Sequence, residues 1–431
     1  MDDLQGVLRG QKISYFSMEI GLSSEIPTYA GGLGVLAGDT IRSAADLNIP
    51  LVAVTLVSNK GYFRQILDSS GNQIEHTEEW NPAHFMTHLT AEVSVKIQNR
   101  EVKIRAWLYN CKSLTGGCVP IIFLDTDVEG NDPEDRKITD FLYGGDQRYR
   151  LKQEIVLGIG GVRMLDELGF KIRKYHMNEG HSAFLSLERL RQLIAEGKSM
   201  EEAKEIVSAS NIFTTHTPVP AGNDEFPIWL VDKYFSNYWS ELGLDREGFL
   251  NLAKVKTDWA DEVFSMPVLA LRLSEYRNGV SKLHGEVSRG MWQGLWLDKA
   301  EKDVPITSVT NGVHTGSWLA RRIAALYNRT FGPDWINRID DPKLWDGINK
   351  IDDAELWQIR FHLKRKLVNY MVNRARYQWA HNNVHPVQTV ASGVLLEPSA
   401  LTIGFARRFA TYKRANLIFR DWDRLMRIIT N

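Results

Sequence analysis

Three groups of side chains in this sequence have the types and spacing to do chemistry. Glu179 and His181 lie in Asn178-Glu-Gly-His181, and His216 stands at the head of His216-Thr-Pro-Val-Pro-Ala-Gly-Asn-Asp224. Each follows an apolar run, at the point where a strand pattern gives way to a polar turn. That clustering makes them better site candidates than isolated histidines, and no compact set of three ligands at the usual spacing points to zinc. The second group is Gly31-Gly-Leu-Gly34, after a short strand pattern and before a helix pattern. Glycines permit a tight turn and close backbone approach, and a helix start beyond them presents free N–H groups to an anion. The spacing is neither a dinucleotide fingerprint nor a P-loop, so a phosphate, a carboxylate or no ligand at all fits this turn equally. The third group is Arg407, Arg408, Lys413 and Arg414 at another strand-to-helix turn. Partly buried cations need anionic partners, and arginine forks suit phosphate. The chemistry implied is binding of phosphate or a phosphorylated sugar.

These groups need a parallel sheet to hold them. The spacing predicts a strand at 13–16, a helix over 35–47, and a strand buried on both faces at 49–57. Gly61, Tyr62 and Arg64 follow that strand in a loop where ligands commonly sit. Period-two alternation over 92–107, interrupted at Gln98–Arg100, predicts an antiparallel hairpin. Another strand is expected at 119–125 and a solvated loop at 129–140. The apolar stripe over 150–168 predicts a helix, with Gly158, Gly160 and Gly161 allowing close packing. Helices to about 194 and over 199–208 and a strand at 209–215 follow. The region 228–297 reads as irregular apart from a helix near 266–275, and a short strand is expected at 304–309. A long helix or broken pair is expected at 352–381, then a buried strand at 400–406 and a helix to about 429.

The fold class is therefore α/β, with two Rossmann-like domains around a cleft. Residues 1–305 form the first, carrying the glycine turn and the cluster of Glu179, His181 and His216. Residues 306–431 begin a second domain that is incomplete. One strand and one helix cannot bury a parallel-sheet face, so a truncated chain is expected. The glycine turn and the basic turn are expected to face each other across the cleft.

Composition narrows the class. The formal net charge of the 431-residue chain is -1, which gives no case for nucleic acid or an anionic membrane. The basic run in the long helix is balanced elsewhere and matches no nucleic-acid module. No stretch has the length of a membrane span or the layout of a signal peptide. Two cysteines, Cys111 and Cys118, make no disulfide framework, and the cytoplasm is the default compartment.

Taken together, Tyr15-Phe-Ser-Met-Glu19, Gly31-Gly-Leu-Gly34, Gly61-Tyr-Phe-Arg-Gln65, Asn178-Glu-Gly-His181, Thr215-His-Thr217, Asn278-Gly-Val280 and Arg407-Arg-Phe-Ala-Thr-Tyr-Lys-Arg414 give the chain a specific likeness. It resembles the glycogen, starch and maltodextrin phosphorylases, in the form found in many bacteria and archaea. The resemblance implies phosphorolysis of α-1,4-glucan by inorganic phosphate to α-D-glucose 1-phosphate, with pyridoxal 5'-phosphate as cofactor. It implies that Gly31, Gly32 and Leu33 form the phosphate-facing loop. By the same likeness, Arg408 and Lys413 hold substrate and cofactor phosphates, with Gly32 also on the cofactor side. His216 meets the glucosyl unit at the bond cleaved, and Glu19, Glu179 and His181 line the cleft. The family's Schiff-base lysine is expected beyond residue 431, so the 431-residue chain alone is expected to be inactive. A homo-oligomer stays open. A nucleotide-sugar glucosyltransferase of the glycogen or starch synthase kind is the alternative enzyme, and a non-catalytic carbohydrate-binding protein the alternative of another class.

Overall fold

A computed structural model describes residues 8–68, 70, 72–113, 115–219, 222–256, 262–382, 396–407 and 413–430. Contacts divide the chain into two units. One comprises Met1–Ile66 with Glu75–Trp318, the other Leu67–Ile74 with Leu319–Asn431.

The first unit is built on a nine-stranded sheet. Its strands are β1 (Gln11–Ser17), β2 (Leu51–Leu56), β3 (Thr87–Ile97), β4 (Arg100–Lys112), β5 (Cys118–Asp125), β6 (Lys171–Asn178), β7 (Asn211–Thr214), β8 (Tyr276–Gly279) and β9 (Thr307–Ser308). Their order across the sheet is β9-β8-β7-β6-β1-β2-β5-β4-β3. Neighbours from β9 to β5 run parallel, and β4 and β3 close the edge antiparallel. The apolar run Leu51-Val-Ala-Val-Thr-Leu56 is buried throughout, as a central parallel strand must be.

Helices cover both faces. Helix α1 (Gly32–Asp46) packs Ala37, Ile41 and Ala44 on the face carrying Tyr15, Ala53 and Phe123. The opposite face, with Phe16, Val54 and Leu124, meets α2 (Gln147–Ile155), α3 (Gly161–Glu167) and α4 (Leu185–Ala195). The 150–168 stripe is one continuous helix interrupted by a π turn at Val156–Gly160. Its glycines do allow close approach. A Cβ on Gly161 would lie 2.6 Å from Phe16, and one on Gly158 would lie 2.7 Å from the Leu185 nitrogen. Helix α5 (Met200–Ser210) starts on a capping box in which Ser199 and Glu202 bond each other's backbone N–H.

Three local expectations are corrected. The 129–140 loop is not solvated along its length, because Asn131, Asp135 and Thr139 are buried by partners on the sheet and on α2. Asp135 binds Arg100 at 2.7 Å and Lys152 at 3.1 Å. The 228–297 region is more regular than its composition indicates. It holds helices at Ile228–Phe235, Met266–Arg272 and Lys282–Trp292, and a small antiparallel sheet of Glu225–Pro227, Val263–Ser265 and Lys254–Val255. Residues 401–406 form no strand, and Leu401, Ile403 and Phe405 are exposed. An isolated apolar run gains nothing from extended backbone without a sheet neighbour, and none pairs with it among the described residues.

The second unit is helical. Tyr327 meets Trp335 and Trp345 edge to face, Phe331 meets Trp345 likewise and Tyr327 at a tilt, and Leu326 is buried. The 352–381 pattern is a single helix, Asp353–Asn382, and a helix at Trp422–Ile429 follows. Among the described residues no helix is long and apolar enough to cross a membrane.

Candidate active site

Chain connectivity places the site. From β1 the chain moves to β2 and β5 on one side, then returns to lay β6 against the other side of β1. Helices α1 and α4, which follow β1 and β6, lie on opposite faces of the sheet. The carboxyl ends of β1 and β6 thus flank a topological switch point, where open α/β sheets leave a crevice. Glu19 follows β1 there, Glu179 follows β6, and His216 follows β7 one strand further out.

Glu19 organises the glycine turn. Its Oε2 accepts the N–H groups of Ala30 at 2.6 Å and Gly31 at 3.1 Å, and its Oε1 accepts the Tyr143 hydroxyl at 2.9 Å. Gly31 is extended and caps α1 without a side-chain bond, so Gly32 and Leu33 open the helix. Their N–H groups belong to the first turn, which has no intrahelical acceptors. A Cβ at Gly31 or Gly32 would meet nothing within 4 Å. The turn is therefore open, with first-turn N–H groups of the kind that suit an anion and the Gly31 N–H already held by Glu19.

Glu179 organises the histidine. It has φ +72, a region a non-glycine side chain rarely adopts. Its Oε2 accepts the His216 N–H at 2.9 Å and the Thr217 hydroxyl at 3.0 Å. The His216 ring lies with Nε2 2.7 Å from Asn178 Oδ1, and Asn178 Nδ2 donates to Ser17 Oγ at 3.1 Å. Burial lowers the His216 pKa, Glu179 raises it in part, and His284 and His181 lower it further, so it falls below the ordinary value.

A charged cluster flanks both. His181 Nε2 is 3.2 Å from Asp224 Oδ2, and Arg150 reaches the same oxygen at 2.5 Å. Arg150 also lies 3.5 Å from Glu154 and 4.6 Å above the Tyr143 ring. Burial, then the negative charge of Asp224, pushes Glu154 well above the usual carboxyl range. Burial would raise Asp224 too, but Arg150 and then His181 outweigh it and hold that carboxyl well below the usual range. Two carboxyls thus share one arginine, and their surroundings push them in opposite directions from the ordinary carboxyl range.

Of the residues singled out in the sequence, Glu19, Gly31, Gly32, Leu33, Glu179, His181 and His216 all lie in the first unit, around these strand ends. Lys413 lies in the second unit, partly buried, and Arg408 falls outside the described residues. Gly61 (φ +60) and the partly buried Tyr62 shape the loop after β2, and Arg64 is exposed. Sequence reasoning missed Ser17, Tyr143, Arg150, Glu154 and Asp224 as site-supporting groups. The available signal was Glu154, a charged residue set among Leu151, Ile155 and Leu157 on a buried helix face. Among the described residues no group of three or more His, Cys, Asp or Glu could hold a metal ion.

Comparison with known proteins gives the family. The family model for carbohydrate phosphorylases matches residues 134–390. A maltodextrin phosphorylase of Thermococcus litoralis is 41% identical over 429 residues, covering 98% of this chain and 50% of the relative. A glycogen phosphorylase of Mycobacterium tuberculosis is 39% identical over 437 residues, covering 97% of this chain and 49% of the relative. A glycogen phosphorylase of Aquifex aeolicus is 34% identical over 426 residues, covering 97% and 60%. The chain thus spans about half the length of the first two relatives.

Proposed function

This chain belongs to the carbohydrate phosphorylase family, and we propose that the whole protein splits α-1,4-glucan with inorganic phosphate, releasing α-D-glucose 1-phosphate. The observation that carries the reading is the pairing, at one switch point, of an open anion cradle at Gly31–Leu33 with a histidine loop pinned by Glu179. Cleaving a glycosidic bond builds positive charge on the sugar. The His216 backbone carbonyl suits that charge, while Gly32 and Leu33 N–H groups suit a phosphate. Glu19 and Glu179 are buried and accept backbone N–H groups, which suits holding the two loops and not attack on the sugar. A glycosidase-type carboxylate pair is accordingly not required, since phosphate is both acid and nucleophile.

Pyridoxal 5'-phosphate is the cofactor this reading calls for. The glycine cradle fits a phosphate, with Gly32 on the cofactor side and Lys413, with Arg408, as the basic groups for the two phosphates. When bound, the cofactor supplies a phosphate group for proton exchange with the substrate phosphate. The chain's own residues fix where the anions and the sugar sit, which is the larger part of such catalysis.

The test uses protein expressed from its complete reading frame, incubated with maltodextrin. Phosphate-dependent release of glucose 1-phosphate together with pyridoxal absorbance is expected. Chain growth from ADP-glucose without phosphorolysis would replace this reading with a synthase, and glucan binding without turnover would replace it with a binding protein.

A further inference from the structure

We infer that Asn178 is a positioning residue that, together with Ser17, fixes the His216 ring in the neutral form protonated on Nε2, so that Nδ1 meets the site as a hydrogen-bond acceptor. The Glu19 backbone carbonyl sets the direction of the whole chain of bonds. It accepts the Ser17 hydroxyl at 2.7 Å. A hydroxyl has one proton, so Ser17 Oγ meets Asn178 only as an acceptor. Asn178 Nδ2 donates to it at 3.1 Å, which turns the amide Oδ1 toward His216. That oxygen lies 2.7 Å from Nε2. An amide carbonyl accepts and cannot donate, so the proton between them belongs to Nε2.

The opposite arrangement has an identifiable loss. Turning the Asn178 amide over would set its NH2 against His216 and its carbonyl against Ser17. Ser17 would then donate to Asn178, and the Glu19 carbonyl would lose its bond. Ser17 is 0% exposed, Asn178 1% and Glu19 4%, so water does not replace that bond. The His216 backbone N–H is held separately by Glu179, which fixes the main chain that carries the ring. Among the described residues no hydrogen bond is made to Nδ1. Burial also disfavours a doubly protonated ring, the only other way for Nδ1 to carry a proton while Nε2 donates.

The role of the Nδ1 acceptor, receiving a sugar hydroxyl, rests on the proposed phosphorolysis, but the ring tautomer does not. The test therefore reads the ring directly. The 431-residue chain is labelled with 15N-histidine, and two-bond nitrogen–proton correlations are recorded at pH 7, with His216 assigned from the spectrum of His216→Gln. The expected pattern is a protonated Nε2 and an unprotonated Nδ1. Ser17→Ala and Asn178→Leu are expected to give mixed tautomers, while Asn178→Asp restores protonated Nε2. Unchanged backbone amide spectra of regions away from the site serve as the folding control. A wild-type ring protonated on Nδ1, or a tautomer unchanged in a folded Ser17→Ala variant, would overturn the inference. If Asn178→Leu does not fold, the wild-type and Ser17→Ala spectra still decide. Loss of phosphorolysis in the whole protein with an intact Nε2 tautomer would count against the functional reading alone.

Discussion

The carboxylate of Glu179 accepts the backbone N–H of His216 at 2.9 Å, joining the ends of two adjacent parallel strands. The same carboxylate takes the Thr217 hydroxyl, and its residue sits at φ +72. Strained backbone persists only where surrounding bonds over-determine it. Glu179→Ala removes those bonds and keeps the strain. Hydrogen bonds to charged groups are worth about 1.5–3 kcal/mol, so exchange of the His216 amide is expected to accelerate by roughly tenfold to a hundredfold. Hydrogen-exchange mass spectrometry of the 211–219 segment measures this. Unchanged protection would mean that the segment is held by other contacts.

The glycines of the turn divide into two classes. A Cβ on Gly38 would lie 2.0 Å from the Gly21 carbonyl oxygen, and one on Gly34 would lie 2.5 Å from Tyr29 and 2.7 Å from the Glu19 carboxylate. Gly38→Ala and Gly34→Ala are expected to destabilise the fold by about 2–3 kcal/mol or more through overpacking. Gly31→Ala and Gly32→Ala enter open space and are expected to stay within about 0.5 kcal/mol of wild type. In the whole protein the latter two should instead weaken phosphate binding. Urea midpoints separate the classes, and equal losses at all four positions would contradict the cradle.

The buried Glu154 and the half-buried Asp224 both lie beside Arg150, yet they should respond differently to amide substitution. Burial and the Asp224 charge favour the uncharged form of Glu154, so Glu154→Gln is expected to cost less than about 1 kcal/mol. Asp224 carries the charge that balances Arg150, and Asp224→Asn is expected to cost about 3–5 kcal/mol by leaving that guanidinium unpaired. Denaturant unfolding of the two variants at pH 7 gives the comparison, and a larger loss for Glu154→Gln would reverse the assignment.

His176 sets an acid limit. It is half-buried on β6, its ring edge-on to Tyr15 at 5.0 Å and its Nε2 2.8 Å from the Thr214 hydroxyl. Burial, then the neighbouring His216, pushes its pKa from 6.5 down to about 4. Between those two values the unfolded chain binds a proton that the folded chain does not. The stability owed to neutral His176 is therefore fully present above pH 6.5 and is lost as pH falls toward 4, by roughly 3 kcal/mol in all. Urea unfolding at pH 7 and pH 4.5 should show wild type losing roughly 2–3 kcal/mol more than His176→Gln. Equal losses would show that His176 titrates normally.

The sequence by itself determined what is local. Alternation and apolar runs marked β2, the β3–β4 hairpin and β5, and the stripe at 150–168 marked its helix, because side-chain period reports which face is buried. Gly31, Glu179 and His216 stood out because each lies where a strand pattern breaks, and Glu19 through the family likeness of its motif. Local pattern is silent on neighbours, and only tertiary structure decided the rest. It set β6 beside β1, so that Asn178 meets Ser17 across 161 residues and Tyr143 meets Glu19 across 124. It buried Asp135 and Glu154, whose charges alone indicate solvent. It left Leu401, Ile403 and Phe405 exposed, although their run reads as a buried strand. The reason is common to them. A parallel strand takes its hydrogen bonds from partners distant in the chain, so the partner, and with it the proton on a histidine ring, is fixed only once the sheet is assembled.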